Sequence, residues 1–212
     1  MMKKKSKTII LIILIIAIII GVTVFNTNKE KNIEKLANIY QKLCTSQEYM
    51  FIMKKNNNTK TIMAKKDHKT VIDKYSENSH DTTIVQNNTT YYILHNREEY
   101  HVYNQNDVEQ NYLEEGMQAV IETSFSRGTE KINGKNYSYE EYNGSTIFMI
   151  TNALDLENEA TKTRFYFDNE GNLAYIRTIS GVKQELLEIE IKTDVDNEIF
   201  EIPSNYAENL YN

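Results

Sequence analysis

Between Thr8 and Phe25 the chain runs 18 residues without a charged side chain, and nine of those residues are isoleucines from Ile9 to Ile20. As a helix rising about 1.5 Å per residue, such a run extends about 27 Å, close to the hydrocarbon thickness of a bilayer. A buried core helix of this length would show a polar stripe, and this run has none. Lys3, Lys4, Lys5 and Lys7 precede it. The positive-inside rule therefore predicts residues 1–7 as a cytoplasmic stub, residues 8–25 as a transmembrane anchor and residues 26–212 as an extracytoplasmic domain. A cleaved secretory signal is the rival reading. Its apolar stretch is usually shorter, about 7–15 residues, and it ends on small residues, whereas this run ends Gly21, Val22, Thr23, Val24, Phe25. Both readings put the body outside the cytoplasm.

Charge divides along the same boundary. The formal net charge is −6, but four of the 24 bases precede the run and all 30 acids follow it, so the body carries 20 bases against 30 acids, a net of −10. An acidic body repels phosphate backbones and anionic headgroups, which argues against nucleic-acid binding. With one cysteine, Cys44, the chain forms no intramolecular disulfide. Cys44 closes an apolar stripe and reads as a buried structural thiol. Fifteen tyrosines, seven glycines and one proline favour strands over a disordered or linker-rich chain.

Within the body, residues 27–44 read as an amphipathic helix, with Ile33, Leu36, Ala37, Tyr40, Leu43 and Cys44 on one face. Short alternating runs follow at 49–53, 61–64, 70–72, 82–85, 90–94 and 100–103. Polar turns separate them, Asn87-Asn88 and Asn96-Arg97 among them. This spacing predicts an antiparallel meander. Residues 107–125 carry a helical period through Val108, Tyr112, Leu113, Met117, Val120, Ile121 and Phe125, and Asp107 with Gln110 fits a capping box. Strands resume afterwards. Asn133-Gly134 and Asn143-Gly144 are hairpin signals, a charged insertion spans 153–162, and Leu187, Ile189 and Ile191 alternate with Glu188, Glu190 and Lys192. About ten strands and two helices predict an α+β fold: a strongly curved antiparallel sheet, a half-barrel, packed on an N-terminal helix and a mid-chain helix and preceded by one transmembrane helix.

The runs Gly128 to Tyr142, Thr163 to Asp168, Leu173 to Ile179 and Phe200 to Tyr206 resemble small bacterial envelope proteins, usually lipoproteins, of the LolA-like (lipoprotein-carrier-like) superfamily. Residues 61–64 and 90–93 fit the same pattern, and the likeness in element order covers about residues 33–206. It implies a half-open barrel whose concave apolar face holds acyl chains or senses lipoproteins. The chain departs from the family in having an apolar anchor in place of a lipidated cysteine, and in the 153–162 insertion. No ligand contact transfers residue by residue.

Catalytic chemistry is weak along the whole chain. His95 and His101 flank an expected hairpin turn near Glu98 and Glu99, but no second metal-ligand motif supports zinc, and they read as exposed hairpin histidines with no metal. Ser180 and Lys183 match S-x-x-K formally but lie between strands, and Asp168 to Asn172 lacks a calcium-loop frame. No enzyme activity and no cofactor are expected. Large or soft apolar residues (Phe51, Met53, Ile93, Met117, Val120, Phe148, Phe165 and Phe167) sit on alternating or helical faces that fit one ligand-binding concavity, or simply the core. The functional expectation is a membrane-anchored binding module that shelters a lipid, an acyl chain or a lipoprotein. The alternative is a structural or sensory envelope module with a filled core that binds a protein partner.

Overall fold

The computed structural model describes residues 35–55, 58–104, 120, 124–143 and 162–209. Helix α1 (Lys35–Thr45) leads into a meander of six strands: β1 (Glu48–Lys54), β2 (Lys60–Lys66), β3 (Lys69–Tyr75), β4 (His80–Gln86), β5 (Thr89–Leu94) and β6 (Glu99–Asn104). A second meander holds β7 (Phe125–Ile132), β8 (Lys135–Asn143), β9 (Lys162–Phe167), β10 (Leu173–Ser180) and β11 (Lys183–Lys192), and the two-residue β12 (Ala207–Glu208) follows. All twelve strands form one sheet in the order β12-β6-β5-β4-β3-β2-β1-β11-β10-β9-β8-β7. The two meanders therefore join at a single seam, where β1 pairs antiparallel with β11 from Met50–Lys192 to Lys54–Glu188.

Turn chemistry sets much of this register. Asn87 and Asn88 have φ of 52° and 59°, and Asn133 and Gly134 have 48° and 83°. Both pairs close two-residue hairpins with the mirror-image turn that matches strand twist. Asn tolerates this left-handed backbone because its short polar side chain bonds locally. Ser180 pairs with Lys183 across Gly181 at φ +59°, so the S-x-x-K match is a hairpin turn. At the β9–β10 connection Asp168 Oδ1 accepts the main-chain N–H of Glu170 at 2.9 Å and of Asn172 at 2.8 Å.

Alternation gives the sheet two faces with different covers. On the first face, Tyr49, Phe51 and Met53 of β1 join Met63, Phe165, Phe167, Ile176, Leu187 and Ile189, and α1 packs over them through Leu36, Tyr40 and Leu43. The helix positions follow the i, i+4, i+7 spacing of an apolar stripe. On the opposite face, Ala64, Val71, Ile84 and Ile93 are covered by the C-terminal segment carrying Val195, Phe200, Ile202 and Tyr206, with Phe200 at the end of a 3-10 turn (Asn197–Phe200). The Lys66 ammonium donates to the Val195 carbonyl at 2.6 Å. Ala207 N–H donates to Glu98 O at 3.0 Å, and Asn209 N–H donates to Tyr100 O at 2.8 Å. The C-terminal segment thereby pairs with the start of the β6 edge, at Glu99 and Tyr100.

The expected α+β half-barrel packed on two helices is overturned. Among the described residues the architecture is one large sheet with a single delimited α-helix, and the second face is covered by the C-terminal segment, which includes one 3-10 turn at Asn197–Phe200. The sequence reading assigned one apolar face to the sheet and gave it helical cover, whereas β1 is buried on both sides, at Phe51 and Met53 and again at Ile52. Of the expected helix at 107–125, only Val120, Ser124 and Phe125 are described; Val120 is helical and Phe125 already begins β7. The strand expected at 145–150, the insertion up to residue 161 and the apolar run 8–25 lie outside the described residues. Among the described residues no helix is long and apolar enough to cross a membrane. Cys44 is half-buried rather than fully buried.

Candidate functional site

The first-face cluster gathers five of the eight expected pocket residues. Phe51, Met53, Val120, Phe165 and Phe167 are buried together against α1, with Phe165 and Phe167 each 1 % exposed. Ile93 belongs to the cluster on the opposite face, because residues 91, 93 and 95 of β5 share the parity that faces the C-terminal segment. Met117 and Phe148 lie outside the described residues.

Among the described residues, polar groups on this face are few and placed. Tyr142 packs edge-on to Phe165 at a ring separation of 5.7 Å. Its hydroxyl donates to Glu140 Oε2 at 3.1 Å. Glu140, 2 % exposed, uses its two oxygens to accept the Lys35 N–H at 2.9 Å and the Leu36 N–H at 3.2 Å. These are orphan donors of the first helical turn, so a carboxylate on β8 caps α1 from across the core and opposes the positive end of its dipole. Arg127 adds an ion pair to Oε1 at 3.6 Å. Burial, reinforced by nearby Cys44, pushes the phenols of Tyr40 and Tyr49 far above their ordinary 10.0, so both are neutral donors. The Thr163 hydroxyl, on the same face as Phe165, is buried and has no hydrogen-bond partner among the described residues. A buried hydroxyl without a partner is uncommon and marks a place where a polar atom can be received.

The reverse side of the same strands is ionic. Arg164 Nε donates to Glu141 at 2.6 Å and its Nη1 to Glu130 at 2.9 Å. Arg177 also donates to Glu130, and so does the Tyr166 hydroxyl, at 2.8 Å. Burial alone would raise the Glu130 carboxyl, but these donors outweigh it and hold the group below its ordinary 4.5. The Arg164 hydrogen bond is the largest influence on Glu141 and lowers it likewise.

The sequence missed two arrangements. Glu140 carries no motif that marks a cap 104 residues from its helix. His95 and His101, expected as exposed hairpin histidines, are instead half-buried and buried respectively. His101 is buried on β6, its Nδ1–H donating to Asn209 O at 3.0 Å, while His95 stacks on His80 with ring centroids 3.6 Å apart. The signal was present, since a hairpin centred on Asn87-Asn88 sets residue 80 opposite residue 95.

No protein-family model and no curated protein matches the chain. Among solved structures it is similar to an uncharacterized conserved protein from Thermus thermophilus, with 5% identity, a TM-score of 0.48, and cover of 82% of this chain and 97% of that one. It is also similar to the Mycobacterium tuberculosis lipoprotein LppX, with 14% identity, a TM-score of 0.39, and cover of 74% of this chain and 93% of that one.

Proposed function

We propose that the protein is a non-catalytic binding module that shelters an alkyl chain, from a lipid or a lipoprotein, on the first face of its sheet. The supporting observation is the union of Phe51, Met53, Val120, Phe165 and Phe167 with the Thr163 hydroxyl, which lacks a partner among the described residues. Aromatic and thioether side chains adapt to irregular apolar ligands, and a hydroxyl among them suits an ester or headgroup oxygen. Each methylene transferred from water contributes about 0.8 kcal/mol, so a chain of ten carbons gains roughly 8 kcal/mol before ordering costs. The apolar run at residues 8–25 supports tethering at a membrane, with the acidic body outside the cytoplasm.

A second reading is favoured by the closure of the same cluster, where Leu36 is 0 % exposed. In that reading the interior is filled by its own side chains, and the module binds an envelope protein through its surface.

The full-length protein, purified in a lipid-compatible detergent, separates the two. Sheltering predicts a co-purifying lipid in extracts analysed by mass spectrometry and saturable uptake of a fluorescent fatty acid by the stripped protein. It also predicts that Thr163→Val alters affinity for an ester probe more than for a plain alkane probe. Neither lipid nor probe uptake would leave the filled-core reading.

A further inference from the structure

On the second face, away from the proposed apolar site, strand register builds a row of side chains across four chain segments. Lys60 of β2 is opposite Tyr75 of β3, Tyr75 is opposite His80 of β4, and His95 follows β5 on the same side. The Lys60 ammonium lies 4.1 Å from the Tyr75 ring centroid. Tyr75 stacks on His80 at 3.9 Å, His80 on His95 at 3.6 Å with 4° between their planes, and Tyr206 meets His95 edge-on at 5.5 Å. In the adjacent rung Asp73 is opposite Thr82.

The polar atoms of the two rungs converge. His80 Nε2 is 2.8 Å from Asp73 Oδ1, the Thr82 hydroxyl donates to the same oxygen at 2.5 Å, and His95 Nε2 is 2.7 Å from the Thr82 oxygen. Because the Thr82 proton goes to Asp73, its oxygen accepts from His95 Nε2–H. His95 Nδ1 is then an acceptor for the Tyr206 hydroxyl at 3.1 Å. One donor atom from each of Asp73, His80 and His95 lies within 4.8 Å of the others. Asp73 is 5 % exposed and the two imidazoles are half-buried, so the group is desolvated at its base and reachable from solvent.

We infer that Asp73, His80 and His95 form a binding site for a borderline divalent cation of the zinc type. Two imidazoles and one carboxylate are a donor set suited to zinc and its first-row neighbours, and with three protein ligands a fourth position stays open. Tetrahedral bonds of about 2.0–2.2 Å need donors roughly 3.5 Å apart, which imidazole and carboxylate rotations supply from the present spacing. Binding moves the Nε2 proton of His95 to Nδ1, so that this ring donates to the Tyr206 oxygen. A metal-bound imidazole commonly holds its other N–H in this way. The same step splays the parallel His80–His95 stack, since each lone pair lies in its own ring plane.

The test is zinc titration of the chelator-treated full-length protein by calorimetry, with cobalt as a spectroscopic probe. Stoichiometric zinc uptake is expected, with the visible bands of a four-coordinate ion when cobalt replaces it. His80→Gln and His95→Gln should each weaken binding at least tenfold, and Tyr206→Phe by roughly tenfold through loss of the orienting hydrogen bond. His68→Gln, at an exposed turn, should leave binding unchanged. Absence of uptake by the unaltered protein at about 100 µM zinc, a level that detects even weak sites, overturns the assignment. So does retention of full affinity in the double variant His80→Gln/His95→Gln. Should those variants fail to fold, thermal unfolding of the unaltered protein decides: zinc but not magnesium must raise its midpoint.

Discussion

Glu140 Oε2 accepts the main-chain N–H of Leu36 at 3.2 Å, joining β8 to the first turn of α1 across 104 residues. One buried carboxylate thus holds two helix donors, a tyrosine hydroxyl and an arginine. Hydrogen bonds to a charged group contribute about 1.5–3 kcal/mol each. Glu140→Ala should therefore destabilise the protein by about 3 kcal/mol or more, measured by urea unfolding. It should also speed exchange of the Leu36 amide ahead of amides in β1. A variant as stable as its parent would refute the capping role.

Phe165 fills the centre of the first face between Tyr142 and Ile176. Phe165→Ala is expected to cost about 3–5 kcal/mol, and Phe165→Leu less than about 1.5 kcal/mol. The difference should appear in thermal midpoints, and equal losses would show that the site collapses freely around the gap.

Acid sensitivity should come in part from Glu130 and Glu141. Both carboxyls are lowered in the folded chain from an ordinary 4.5, so their stabilisation is complete above that value and is lost as pH falls through the depressed folded value. Arg164→Gln removes a donor from both acids. Its unfolding free energy should fall less steeply on acidification than the parent's, measured from neutral pH to about pH 3. An unchanged slope would sink the assignment.

Asn88 has φ +59° in the β4–β5 turn. A β-branched residue is strained there, so Asn88→Val should cost about 1–2 kcal/mol, whereas Asn88→Gly should be tolerated. Equal stabilities in urea would show that the turn is not held in this form.

Gly128 lies on β7 opposite Tyr139, and a Cβ built on it would sit 2.4 Å from that ring. Arg164 stacks over the same ring at 4.7 Å, which limits its escape. Gly128→Ala should cost about 1–3 kcal/mol through overpacking, and the companion Tyr139→Ser should relieve most of that increment in a double-mutant cycle. Additive losses would argue against the contact.

Strands and their turns were legible because they depend on local chemistry. Asn87-Asn88 and Asn133-Gly134 mark turns because Asn and Gly tolerate left-handed backbone, and the alternation at 187–192 reports a half-buried strand directly. The apolar face of α1 was readable for the same reason. The second cover was not. Val195, Phe200 and Tyr206 are spaced without helical or strand period, since an irregular segment crossing a sheet places side chains by where pockets fall. Ile93 was read as sharing a concavity with Phe51 because each strand was considered alone, and only the register across β2, β3 and β4 sends them to opposite faces. Glu140 looked like one acid among many, because the helix it caps lies far off in sequence.

Nearly every strand pairing joins chain neighbours, and such contacts are cheap in loop entropy and quick to form. The β1–β11 seam is different, tying the beginning of the first meander to the end of the second, and the exposed Lys54–Glu190 pair at 3.0 Å adds little to its ladder. Because this junction closes the longest loop between the two meanders, it is expected to zip late in folding.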